Sequence, residues 1–134
     1  MLRSAAVTKK LTIRASHRGG TLGRGVFATL PIQAGELLEE SHVLVIPKAE
    51  LPLLEPTVLD HYQFSWGDTF EDGAIAFSIM SLLNHDDTPN TRFERDQKNA
   101  ILRFYSVRDI QTDEEITISY RTTFPDIPLW FDAR

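Results

Sequence analysis

The sequence predicts a mostly β domain of short strands with little helix. Seven glycines and seven prolines are spread along 134 residues, so the chain is punctuated into many brief elements. The runs between them alternate apolar and polar residues or are rich in Val, Ile, Thr and aromatics, the composition of strands. A single stretch, 74–83, is apolar on nearly every side and suits a short buried helix.

In order, Leu11-Thr12-Ile13-Arg14 reads as a strand, His17 to Gly20 as a turn, and Gly25 to Thr29 as a strand stopped by Pro31. Ala34-Gly35 turns the chain into Glu36 to Ile46, which ends in a β-branched run before Pro47. Pro47, Pro52 and Pro56 make 47–57 an irregular connection with at most one helical turn. His61 to Trp66 carries aromatics at alternate positions and reads as a strand. The 74–83 run is predicted as helix, although periodicity leaves a buried strand open in part of it. Thr91 to Arg95 and Ala100 to Tyr105 form a hairpin across Asp96-Gln97-Lys98-Asn99. Glu115 to Tyr120 is the last strand, and an aromatic, Pro-containing tail fills 122–134.

Hydrophobic residues are 42% and charged residues 25%, which is globular rather than disordered. A chain this long buries roughly two thirds of its unfolded surface, enough for one core and one domain over 1–134. With no cysteine there is neither a disulfide framework nor a thiolate metal site. The N-terminus lacks the roughly 7–15-residue apolar run of a signal peptide, and 74–83 is too short to span a bilayer. The expectation is a cytoplasmic protein without membrane contact. The net charge of −5 offers no footprint for nucleic acid and favours a Lys/Arg-rich partner.

Four segments carry candidate chemistry. Gly23-Arg24-Gly25 lets the backbone approach a ligand or simply make a tight turn. Asn84-His85-Asp86-Asp87-Thr88-Pro89-Asn90 sets polar groups beside the most apolar stretch, where they need partners, or caps a helix. Adjacent residues such as His85, Asp86 and Asp87 rarely converge on one ion, so no metal is expected. Asp113 to Tyr120 is a strand ending in tyrosine, and Tyr62, Phe64, Trp66, Phe124, Trp130 and Phe131 form an aromatic set that suits either a core or a cofactor pocket.

Together and in this order, Gly23-Arg24-Gly25, Asn84-His85 with Pro89-Asn90, and Glu114 to Tyr120 resemble the SET-domain family of protein-lysine methyltransferases. The likeness covers about residues 9–121 and is nearest to the minimal virus- or bacterium-type members. It implies several small curved β-sheets with a knot-like C-terminal crossing. It also implies S-adenosylmethionine as cofactor and a lysine-bearing protein, histone tails being the family's commonest target, as substrate. Small relatives can dimerise, and a viral or intracellular bacterial source would direct the protein to a host nucleus. By the same resemblance Tyr120 is the catalytic tyrosine, and Tyr62, Phe64 and Phe124 line the lysine channel. Arg24 and Gly25 would hold the methionine end by their backbone, Asn84 the amino group, and the His85 backbone the adenine edge. The His85 side chain would equally serve to tie the crossing. Phe124, Trp130 and Phe131 would replace the cysteine-built lid of larger relatives, with no structural zinc. Family members usually have Ser-Cys where this chain has Asp86-Asp87, a departure that admits a second reading, a weak or inactive module that binds proteins.

The implied chemistry needs a neutral amine, whereas free lysine has a pKa of about 10.4. A sulfonium ~4 Å away disfavours the ammonium by roughly 4 kcal/mol at an effective dielectric of ~20, about three pKa units. Positioning and exclusion of water then remain for the protein.

Overall fold

The computed structural model describes residues 10–18 and 23–123. Gly19, Gly20, Phe124, Trp130 and Phe131 lie outside the described residues. Nine strands form two sheets among those described. The four-stranded sheet has the order β1 (Leu11–Ala15), β2 (Arg24–Ala28), β9 (Glu115–Ile118), β6 (Asn84–His85). The five-stranded sheet runs β4 (Gln63–Trp66), β5 (Asp72–Ala76), β3 (Leu37–Ile46), β8 (Ile101–Ser106), β7 (Thr91–Asp96). Helix among the described residues is confined to short turns, including α1 (Leu51–Leu54) and α2 (Tyr120–Thr123). None of these is long and apolar enough to cross a membrane.

Period-two alternation places the core. Leu102, Phe104 and Ser106 of β8 point inward while Ile101, Arg103 and Tyr105 are half-exposed. Val26 and Ala28 of β2 and Ile116 and Ile118 of β9 meet them with Ile32, Trp66, Met80 and Ile110. Phe64 stands edge-on to Phe93 at 5.2 Å and to Phe104 at 6.0 Å, the arrangement that aromatic quadrupoles favour. In the β7–β8 turn the Asp96 carboxylate accepts from the Asn99 amide and side chain. Those bonds, with the Arg103 guanidinium, hold the Asp96 carboxyl down at about 2.

Three elements differ from their predicted form. The 74–83 helix is absent: Asp72–Ala76 is strand β5, paired with β3 and β4, and Ile79–Leu82 is one 3-10 turn. Ala74 and Ala76 alternate inward, and Gly73 fits because a Cβ there would run into the Gln63 side chain. Two neighbouring strands thus claim hydrogen bonds that a helix would have kept to itself. Ser78 ends the strand and caps the turn by accepting from the Met80 amide at 3.0 Å. His61 and Tyr62 belong to a 3-10 turn, Val58–Tyr62, rather than to β4. The last strand stops at Ile118, and Tyr120 opens α2, where Ser119 Oγ accepts from the Arg121 amide.

The two-residue strand β6 pairs in parallel with β9, joining Asn84 to Thr117 and His85 to Ile118. Asn90, almost fully buried, extends this pairing through its side chain. Its Nδ2 donates to Glu115 O at 2.7 Å, and its Oδ1 accepts from the Thr117 amide at 2.9 Å. Replacing Asn90 with Ala would leave both backbone groups unpartnered, a loss of roughly 2–4 kcal/mol. Urea unfolding should show a lower midpoint with an unchanged slope.

Candidate active site

The site is built where β2, β9 and β6 lie side by side. Gly23 adopts φ +80, the left-handed conformation that glycine takes without strain, and turns the chain into β2. Gly25 is required for a different reason. A Cβ there would collide with Glu115 Oε2 and lie 2.9 Å from Asn84 Nδ2. Asn84 is fully buried, and its Nδ2 donates to Arg24 O at 2.8 Å and to Glu115 Oε2 at 2.8 Å. Glu115 is held further by Ser16 Oγ at 2.8 Å and by Arg18, whose Nε approaches Oε1 at 3.2 Å. Arg18 also pairs with Asp86 at 2.9 Å. The Thr88 amide, with Arg18 nearby, holds the Asp86 carboxyl below its usual range.

His85 is 4% exposed, and both ring nitrogens are engaged. Nδ1 accepts from the Tyr120 amide at 3.0 Å, and Nε2 lies 2.7 Å from Asp87 Oδ1. The geometry therefore gives the side chain a tying role between β6 and α2. Asp86 N donates to Ile118 O, so β9 engages the backbone on either side of His85. In a parallel ladder this turns the N–H and C=O of His85 itself toward the open edge of the sheet. Arg18 Nη1 reaches that carbonyl at 3.4 Å.

The Tyr120 hydroxyl donates to Leu83 O at 2.8 Å, and its ring lies 5.3 Å from that of His85, tilted by 52°. Burial pushes this hydroxyl up to about 12, with the nearby Tyr62 and Glu115 adding to the shift. Tyr62 thus lies near enough to Tyr120 to act on its hydroxyl through charge. Phe64, expected to back the channel, instead gives its ring to the core. Arg24 is exposed and enters through its carbonyl. Expected roles for Phe124 and Trp130 fall outside the described residues. No group of three or more His, Asp or Glu among the described residues is arranged to hold a metal.

Sequence reasoning missed Ser16, Arg18 and Glu115. Charged residues on a short strand pass for a solvated face. The signal was the alternation of β9, which puts Glu115 and Thr117 on the face opposite Ile116 and Ile118.

A SET domain matches residues 23–121. The chain is 35% identical over 132 residues to the Schizosaccharomyces pombe histone-lysine N-methyltransferase, H3 lysine-37 specific, spanning 98% of this chain and 83% of that protein. A Plasmodium falciparum protein classed as a histone methyltransferase has a similar structure, with TM-score 0.62 and 26% identity over 85% of this chain and 95% of that one. The Chaetomium thermophilum Polycomb Repressive Complex 2 bound to S-adenosylmethionine gives TM-score 0.73 at 20% identity, a likeness of fold. It spans 90% of this chain and 16% of that one. The mostly β architecture with single helical turns is that of these structures. This chain belongs to the SET domain family.

Tyr120 should ionise at about 12. Its raised value favours the folded state below pH 10, an advantage lost as pH climbs from about 10 to about 12. Ultraviolet titration of the wild type and Tyr120→Phe should show the late step in the first alone.

Proposed function

We propose that the protein transfers a methyl group from S-adenosylmethionine to the side-chain amine of a protein lysine, with histone tails as the substrate class. The observation that carries this reading is Tyr120. A phenol at about 12 is held by Leu83 O beside Tyr62 and against the Asn84-His85 edge. The named activity of the Schizosaccharomyces pombe relative supports the same chemistry and the histone class.

The residues present fit a zwitterionic, adenine-bearing cofactor. The His85 N–H and C=O at the sheet edge offer one donor and one acceptor, the pair an adenine edge requires. Glu115, paired with Arg18, sets a carboxylate beside Gly25, a charge complementary to an amino acid's ammonium. Asn84 Nδ2 already serves Arg24 O and Glu115, so the residue would meet an ammonium through its acceptor oxygen. The cofactor supplies a methyl group on a cationic sulfur.

Everything else falls to this chain. Tyr120 stays protonated at neutral pH and cannot act as a base. Its one proton is committed to Leu83 O, which leaves the hydroxyl oxygen as an acceptor toward the reacting amine. In this reading Tyr62, whose charge acts on the Tyr120 hydroxyl, lies along the lysine side chain. The reaction therefore rests on holding a neutral amine in line and on excluding water. Asp86 and Asp87 bond to Arg18, Thr88 and His85, so this departure from the family pattern is built into the site and gives no support to a decayed module.

Labelled cofactor incubated with histone H3 should yield labelled lysine, located by mass spectrometry; label retained wholly by the free cofactor would refute the assignment. Tyr120→Phe should lower turnover at least ~10-fold, about 1.4 kcal/mol, while cofactor affinity by calorimetry holds. Gly25→Ala should instead weaken cofactor binding by roughly 10-fold or more, because Glu115 is pinned by three partners and cannot yield to a Cβ.

A further inference from the structure

We propose that Asp87 is a positioning residue for methyl transfer, acting on Tyr120 through the imidazole of His85. This rests on the reading of Tyr120 as the tyrosine at the reacting centre. The Tyr120 backbone N–H is a donor, so the His85 Nδ1 that it meets at 3.0 Å must carry a lone pair. The ring proton of the neutral imidazole therefore resides on Nε2 and points at Asp87 Oδ1, 2.7 Å away.

Two anchors on opposite sides of one ring determine its orientation. A half-turn about the Cβ–Cγ bond would exchange Nδ1 with a carbon, and the Tyr120 amide would then face a C–H. Asp87 opposes that half-turn, since it too would lose its partner. Three contacts fix Tyr120 to the 83–85 segment: its amide on Nδ1, its ring at 5.3 Å from the imidazole, and its hydroxyl on Leu83 O. Two of these three depend on the His85 ring.

Asp87 itself lies at the surface, its side chain 76% exposed. No pairing of its own buries it: Arg121 Nε comes only to 3.9 Å, while Arg18 is engaged by Asp86 and Glu115. An exposed carboxylate thus reaches inward to a ring that is 4% exposed. Stability gains little from such a contact, and the geometry of Tyr120 gains an anchor.

Two variants separate an acceptor from a charge. Asp87→Asn retains an oxygen able to accept from Nε2–H; Asp87→Ala retains nothing. Nitrogen-15 NMR of the four histidines in the full chain reads the ring state directly. The wild type and Asp87→Asn should show His85 as a single Nε2–H tautomer, and Asp87→Ala should show exchange between forms. Turnover should fall about 5-fold in Asp87→Ala, the weight of one ordinary hydrogen bond, and recover in Asp87→Asn, with peptide KM and cofactor affinity held within about 2-fold. Wild-type turnover and an unaltered imidazole in Asp87→Ala would overturn the proposal. So would equal impairment of both variants, which would make charge the operative property, or a rise in KM in step with a lower melting temperature. If the wild type methylates no histone peptide, the methyltransfer reading falls by itself, and the histidine spectra still decide whether Asp87 orients the ring.

Discussion

The structure depends on a parallel pairing only two residues long, Asn84-His85 against Thr117-Ile118. So short a ladder supplies few backbone hydrogen bonds, and its partners are far apart in the chain, so its closure is opposed by loop entropy. Side chains make up the deficit. Asn90 takes the place of a strand by bonding Glu115 O and the Thr117 amide. His85 continues the register onto Tyr120, and Asn84 joins Arg24 O to Glu115 across β2 and β9. A buried polar network of this kind is strongly specifying when complete and costly when any member is lost.

That constraint explains why structural and chemical roles fall on the same residues. Asn84 cannot leave without taking a donor from Glu115 Oε2 and from the Arg24 carbonyl. Gly25 cannot grow because Glu115 and Asn84 occupy the space a Cβ needs. Among the described residues β6 is an edge strand, and the His85 carbonyl there is met by Arg18 Nη1 at 3.4 Å. The fold thus does not merely carry the site; the site's polar groups are what close the fold.

Much of this was legible in the sequence where one signal dominated. The hairpin of Thr91 to Arg95 and Ala100 to Tyr105 across Asp96 to Asn99 and the break at Pro47 each follow from local rules, and each stands as expected. The motif residues Asn84, His85 and Tyr120 are joined by hydrogen bonds and a pairing of strands that no local rule foretells. Where two signals competed, the reading failed. Residues 74–83 are apolar on all sides, a pattern that a buried strand and a buried helix share, and only the neighbours β3 and β4 decide between them. Tyr120 was placed on a strand because β-rich residues lead up to it, but the His85 nitrogen captures its amide and starts a helical turn. Arg18 and Glu115 were invisible because their meaning is a pairing between residues remote in the chain.

On the proposed reading of Tyr120, its electrostatics set the role its hydroxyl can take. A hydroxyl raised to about 12 by burial holds its proton throughout the neutral range. Its donation to Leu83 O is then permanent, and the group acts as a fixed dipole rather than as a proton carrier. On the proposed reading, an amine beside Tyr120 would meet the same burial, which disfavours its charged form. One environment would thus hold the phenol neutral and, with a cationic sulfur nearby, favour the neutral amine without a general base. The reaction's sensitivity shifts accordingly from the acidity of any side chain to the placement of one ring, which is anchored at its amide, its face and its hydroxyl.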